Sequence, residues 1–309
     1  MSRQVFGPVP SRRLGFSLGV DPIPRKYCNF DCIYCQVGRT ACTETERKSF
    51  FDPEDIVREV LEHLHDATQV DVITFSGSGE PTLNQDLGWM LREVKKGTDT
   101  ALAVITNSSL LSREDVCDDL LAADIVLPSL DAVQEKTFRR INRPHPSISI
   151  ESVVAGLRTF RKIYKGKIWL EIMFAKGIND TADELQHIRE VIGSIPFEKI
   201  QLNTITRPAP EHQAKALDAS ELATISETLG GSCEVICGFD KRSEGLGIDD
   251  WVAGLLATLA RRAMTLDDVA RATGVPPEEA RKRLRRLEAQ KVLRTVHQGN
   301  SLFYVLNES

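Results

Sequence analysis

Between residues 14 and 229 short apolar runs alternate with amphipathic ones, and no other feature narrows the fold as far. The apolar runs cover residues 14–20, 70–75, 101–106, 125–127, 168–174 and 200–203. Helical spacing follows each of them. Val57, Val60, Leu61 and Leu64 lie behind the N-cap and first-turn pair Asp52-Pro53, and further helices are predicted over residues 86–96, 112–121, 150–163, 181–192 and 219–229. Strands that are apolar on both faces need cover on both, so six strand–helix units predict an α/β fold with a parallel sheet clothed by helices. Periodicity leaves two architectures open, a doubly wound sheet and an open six-unit barrel. In either, function belongs at the carboxyl ends of the strands.

The polar residues fall at those ends. Cys28, Cys32 and Cys35 follow the first strand, Ser78-Gly79-Glu80 the second, Thr106 and Asn107 the third, Ser129 and Asp131 the fourth, and Asn203 the sixth. Glu171 sits inside the fifth apolar run, where a carboxylate is costly unless paired or serving a ligand, and is therefore expected to face the interior.

Cys28, Cys32 and Cys35 are separated by three and two residues, so a short loop can turn their thiolates toward one place. Three thiols cannot all pair as disulfides, and a metal site is the natural use. Electron-carrying iron–sulfur cubanes take four protein thiolates. Three imply a distant fourth cysteine or an iron left open for chemistry, and a structural zinc loop is the rival.

This Cys-x3-Cys-x2-Cys run, with Tyr34 just before its last cysteine, resembles the signature of the radical S-adenosylmethionine (SAM) superfamily. The resemblance implies a partial (β/α)6 TIM-type barrel, open on one side for substrate. It further implies that Cys28, Cys32 and Cys35 hold a [4Fe-4S] cluster whose open iron binds the amino and carboxylate groups of SAM. Reductive cleavage of SAM would give a 5′-deoxyadenosyl radical that takes hydrogen from a substrate, with RNA, a peptide and a small molecule all left open. An external electron donor of flavodoxin or ferredoxin type is implied as well. Ser78-Gly79-Glu80-Pro81 resembles the superfamily's Gly-Gly-Glu loop with Ser first, and would receive the methionine ammonium on its carboxylate and backbone carbonyls. Pro128-Ser129-Leu130-Asp131 resembles the segment that contacts the ribose and the methionine carboxylate. Tyr34, Asn107, Glu171 and Asn203 complete the expected cofactor-binding set. The short lead-in and the Ser-Gly-Glu-Pro loop look similar to the wyosine-type tRNA-modifying branch, but the chain has no second cysteine triad of the kind that branch uses for an additional cluster.

Other polar features are weaker. Arg139, Arg140, Arg143 and His145 form a basic loop after the fourth strand, by default a solvated face and otherwise a contact for the cofactor carboxylate or an anionic substrate. Cys42, Cys117, Cys233 and Cys237 are scattered, and free cysteine is commonly buried as a small hydrophobe, so a second cluster is not expected. Among 309 residues no run of about 18 apolar residues occurs and the N-terminus lacks an apolar signal core, from which a cytoplasmic protein without membrane contact is expected.

The last sixty residues read as a separate module. Residues 250–309 carry 10 Lys plus Arg against 7 Asp plus Glu, whereas the net charge of the whole chain is -5. The polar stretch 239–247 marks a linker, giving a core over residues 1–240, a linker over 241–249 and a tail over 250–309. Helices are predicted over 251–260, from Thr265 to a stop at Gly274, and from Pro277 to about Gln290 with Arg281, Lys282, Arg283, Arg285 and Arg286 upon it. Strands at 291–295 and 301–306 follow. This order resembles a winged helix-turn-helix, which would meet nucleic acid or a peptide. The alternative function is therefore an iron–sulfur sensing transcriptional regulator that binds DNA through its tail.

Overall fold

The computed structural model describes residues 4–40, 42–66, 69–211, 213–230, 233–236, 251–299 and 301–307. The chain opens with a hairpin of β1 (Val5–Ser11) and β2 (Gly15–Val20), followed by the two-residue strands β3 (Tyr27–Cys28) and β4 (Cys42–Thr43). Alternation then begins: α1 (Pro53–Asp66), β5 (Val72–Phe75), α2 (Leu87–Gly97), β6 (Ala101–Thr106), α3 (Glu114–Leu120), β7 (Ile125–Pro128), α4 (Glu135–Ile141) and α5 (Ile150–Ile163). It continues through β8 (Lys167–Phe174), α6 (Ala182–Gly193), β9 (Lys199–Thr204), α7 (Ala219–Leu229) and β10 (Cys233–Val235).

Eight strands form one sheet in the order β1-β2-β5-β6-β7-β8-β9-β10. β1 runs antiparallel to β2, and every other neighbouring pair is parallel. The expected mostly parallel α/β sheet is thus present. Alternate residues of each strand separate cleanly. Leu18, Ile73, Phe75, Val104, Val126, Leu170, Ile172 and Leu202 join the large core beneath the helices. Their sequence neighbours Val72, Ala103, Ile105, Ile125, Leu127 and Trp169 form a smaller cluster on the other face. Ser17, Gly19, Thr74, Glu171, Met173 and Asn203 have that same inner parity and line a cavity. The period of two therefore explains why Glu171 points inward from an apolar strand.

Besides the two-residue strands β3 and β4, three elements were not foreseen. β1 carries Pro8 and Pro10, which sequence rules read against a strand, but it lies on the sheet edge where a missing N–H is tolerated. α4 has only 7 residues, too few for a helical period to register. β10 adds a parallel strand of 3 residues at the far edge.

The tail consists of α8 (Trp251–Leu259), α9 (Leu266–Thr273), α10 (Pro277–Ala289) and an antiparallel hairpin of β11 (Leu293–Gln298) with β12 (Ser301–Leu306). Thr265 and Asp268 form a capping box at the start of α9, and Gly274 closes it in the left-handed region at φ 66°. The tail has its own apolar cluster around Trp251, Leu255, Met264, Leu284 and Leu293. α8 and α9 pack on β1. Arg207, beyond β9, lies 3.8 Å from Asp268 of α9. The tail thus touches the sheet near both of its ends. The expected linker over residues 241–249 lies outside the described residues. Among the described residues no helix is long and apolar enough to cross a membrane.

Candidate active site

The cysteine loop is fixed by the residues between its thiols. Phe30 and Ile33 are buried at 4% and 0% exposure, and Ile33 N donates to Ile141 O at 3.0 Å. Cys28, Cys32 and Cys35 remain half-buried and line a cavity of about 390 Å³. Each sulfur meets N–H donors. Phe30 N lies 3.4 Å and Asn107 Nδ2 3.7 Å from Cys28 Sγ, and Asn142 Nδ2 lies 3.5 Å from Cys32 Sγ. Backbone N–H groups of Val37 and Gly38 point at Cys35. Burial pushes all three thiols upward, with Glu80 adding to Cys28 and Asp131 to Cys32. A bare thiolate is thus disfavoured here, and a cationic metal group would make it favourable. Among the described residues no three His, Cys, Asp or Glu side chains close around a point as a single ion requires. Three thiols spaced about one cavity, each with N–H donors, fit an iron–sulfur cluster better than a lone zinc ion.

The second strand end is built around glycine and two acids. A Cβ on Gly79 would stand 1.8 Å from Tyr27 O, so only glycine lets this loop lie on the cysteine loop. Ser78 donates through N and Oγ to Asp21 at 3.0 and 2.6 Å. Glu80, 2% exposed, accepts from Thr82 N at 3.0 Å, Thr82 Oγ1 at 2.6 Å, Thr106 Oγ1 at 2.7 Å and Asn107 N at 2.7 Å. Three of these donors converge on Oε1, whereas Oε2 accepts only from Asn107 N and keeps an acceptor position. Burial raises the Glu80 carboxyl, and the four donors pull the other way. What the carboxylate does within the protein is to fasten the end of β6.

Asp131 is similarly engaged. It accepts from Tyr34 Oη, from Asn142 Nδ2 at 2.6 Å and from Met173 N at 2.9 Å, and burial pushes it up to about 6. Ser129 is tied by its backbone to Thr106 and Ser108. Asn107 Nδ2 also donates to Asn29 at 2.7 Å. Glu171 receives Asn203 Nδ2 at 3.0 Å and pairs with Arg13 at 2.5 Å. Tyr34, Ser78, Gly79, Glu80, Asn107, Ser129, Asp131, Glu171 and Asn203 all line the same cavity as the three cysteines.

The basic loop after the fourth strand does not. Arg139 donates to Ile148 O at 2.8 Å and pairs with Glu135, Arg140 donates to Gly177 O at 3.3 Å, Arg143 pairs with Glu211 at 3.0 Å, and His145 contacts Ser147. These side chains bond the protein's own carbonyls and acids and do not line the cavity, which agrees with the default reading of a surface face over the anion contact. The cationic wall of the cavity comes instead from Arg12, Arg13, Arg207, Arg261 and Arg262. Two of its components, Arg12-Arg13 and Arg261-Arg262, are adjacent pairs that the sequence displays without showing that they meet. Asn142, bound to both Cys32 and Asp131, was also missed. Cys117 is buried in α3 and donates to Leu111 O, as expected of a small apolar side chain, while Cys237 lies outside the described residues.

A family model described as the radical SAM superfamily matches residues 23–191, more than half of the chain. The chain belongs to the radical SAM superfamily. Its cofactors are accordingly a [4Fe-4S] cluster and SAM. The chain is 42% identical to a protein named GTPase Obg from Brachyspira hyodysenteriae over 76% of its own length, and spans only 34% of that relative's length. It is 42% identical to a UPF0026 protein of Methanocaldococcus jannaschii, covering 75% of this chain and 71% of the relative. A radical SAM methyltransferase from Sphaerobacter thermophilus superimposes with a TM-score of 0.54 at 15% identity, over 71% of this chain and 65% of the other, a likeness of fold.

Proposed function

We propose that the chain is a radical SAM enzyme whose cluster is ligated by Cys28, Cys32 and Cys35 and whose SAM lies along the strand ends that carry Ser78-Gly79-Glu80, Asn107, Ser129 and Asp131. When bound, the reduced cluster supplies the electron that splits the sulfonium of SAM and so yields a 5′-deoxyadenosyl radical for hydrogen abstraction. One observation carries the assignment: side chains on or just after β5, β6, β7, β8 and β9, far apart in sequence, surround one cavity together with the cysteine loop that follows β2.

The chain's own residues have distinct tasks in this reading. Asn107, Asn142 and backbone N–H groups direct hydrogen bonds at the thiolate sulfurs, which sets the cluster's potential. Glu80 and Asp131 hold the loops in register through their bonds to protein donors. The methionine ammonium is received by Glu80 Oε2, which has an acceptor position left, and by the backbone carbonyls that Gly79 lets approach. Gly79→Ala forces the loop off Tyr27 O, and SAM affinity, measured by equilibrium dialysis, is expected to fall more than about tenfold. An external one-electron reductant is required, as radical SAM enzymes generally need one.

The order of α8, α9, α10 and the β11–β12 hairpin supports a winged-helix assignment for the tail. Its partner in this reading is the barrel itself, because Arg261 and Arg262 enter the cavity, while Arg281, Lys282, Arg285 and Arg286 of α10 face solvent. The experiment that tests the enzyme is anaerobic. Reconstituted protein, dithionite and SAM without substrate are expected to yield 5′-deoxyadenosine. A protein carrying its cluster that neither binds SAM nor forms 5′-deoxyadenosine would overturn the assignment.

A further inference from the structure

The cavity has a second polar region that the cofactor assignments leave unexplained. Arg12 and Arg13 enter it from the turn between β1 and β2, Arg207 from the segment after β9, and Arg261 and Arg262 from the segment after α8. Three carboxylates face them. Glu171 pairs with Arg13 at 2.5 Å, Asp21 with Arg261 at 2.8 Å and Asp268 with Arg207 at 3.8 Å. Among the described residues no carboxylate forms an ion pair with Arg12 or Arg262. The other acids on the wall, Glu80 and Asp131, are engaged by uncharged donors beside the cysteine loop.

Arg262 shows the imbalance most directly. Its Nη1 donates to Pro10 O at 3.3 Å, while its Nε and Nη2 are buried with no hydrogen-bond partner among the described residues. Buried donors on a charged group are costly to leave unmade, and a folded protein keeps them only for a reason. Burial, then repulsion from Arg207 and Arg13, pulls Arg12 down to about 10, and burial, then Arg262, does the same to Arg207. A group that relieves such a field is anionic, compact and able to accept several forked N–H pairs. A phosphate has the matching double charge and the matching oxygen geometry.

We infer that Arg12 and Arg262, together with Arg207, which Asp268 holds only at 3.8 Å, bind the phosphate of a small phosphorylated substrate, steadied by the closely paired Arg13 and Arg261, and that the tail is therefore part of the active site. The word substrate rests on the enzyme proposed above, whereas the phosphate site does not. A small molecule is favoured because the arginines converge on one cavity and are not spread over an exposed face.

The test titrates cluster-reconstituted protein with pyrophosphate, AMP and a short 5′-phosphorylated RNA by calorimetry, with and without saturating SAM. Pyrophosphate and AMP are expected to bind, with affinities that SAM leaves unchanged. Arg262→Met and Arg207→Gln are expected to weaken both at least about tenfold. Arg262→Met is also expected to raise the ligand-free thermal midpoint by about 2–4 °C, because a buried unmatched charge has gone. Arg285→Gln on the exposed face of α10 leaves binding as it was. The inference is overturned by no binding of either small probe, by binding that survives both substitutions, by displacement with SAM, which would make this the cofactor's carboxylate site, or by binding of RNA alone. Absence of 5′-deoxyadenosine from a preparation that binds pyrophosphate would remove the enzyme and keep the phosphate site.

Discussion

Cys32→Ala is expected to abolish 5′-deoxyadenosine formation and to leave reconstituted protein with little cluster iron, while the fold survives. Cys32 is half-buried and lines the cavity, so its loss deletes a ligand without opening a hole in the core. The loop keeps its anchors, since Phe30 and Ile33 are buried and Ile33 N still bonds Ile141 O. A cluster held by two thiolates loses a large part of the binding free energy that the third supplies. Iron content, visible absorbance and far-ultraviolet circular dichroism together check this. Cys117→Ala, in the buried helix α3, should leave iron content unchanged. Full cluster occupancy in Cys32→Ala would mean that another cysteine ligates, and would break the site assignment.

Glu171→Gln is expected to lower the stability of the cluster-free protein by about 3 kcal/mol, or some 6–12 °C in thermal midpoint. Glu171 and Arg13 are 10% and 18% exposed, and the substitution leaves a buried guanidinium without its counter-charge. Burial pushes the Glu171 carboxyl up, but Arg13, Asn203 and Arg12 outweigh it and hold the group below its ordinary value. A depressed carboxyl binds its proton less tightly folded than unfolded. Its stabilisation is therefore complete above the unfolded value near pH 4.3 and is lost as pH falls through the lower folded value. The gap in midpoint between wild type and Glu171→Gln should thus be widest at neutral pH and close below about pH 4. A gap that is constant across that range would show that the charge of Glu171 does not act through this pair.

The strands and helices were legible because burial on both faces writes a recognisable apolar run, and because caps such as Thr265 and Gly274 have local causes. The cysteine loop was legible for a similar reason, since ligands to one metal group can sit close together in sequence. Glu171 announced itself by conflict, a charge within an apolar run. β1 was hidden because its prolines read as breakers, and only its edge position makes them harmless. The basic loop left two readings open because charge in sequence carries no direction. Arg139 turned to its own carbonyls, whereas Arg12 and Arg262, 250 positions apart in sequence, reached the same cavity.

The sequence by itself determined the parallel α/β sheet, the cysteine loop and the superfamily, since each depends on spacings of a few residues. Only the tertiary structure decided which polar groups the protein itself engages. It gave Glu80 and Asp131 several protein donors each, and it brought a pair of arginines from the tail to the same cavity as a pair from the first hairpin. Partner choice among charged side chains depends on distance in space and on burial, and neither is a property of local sequence.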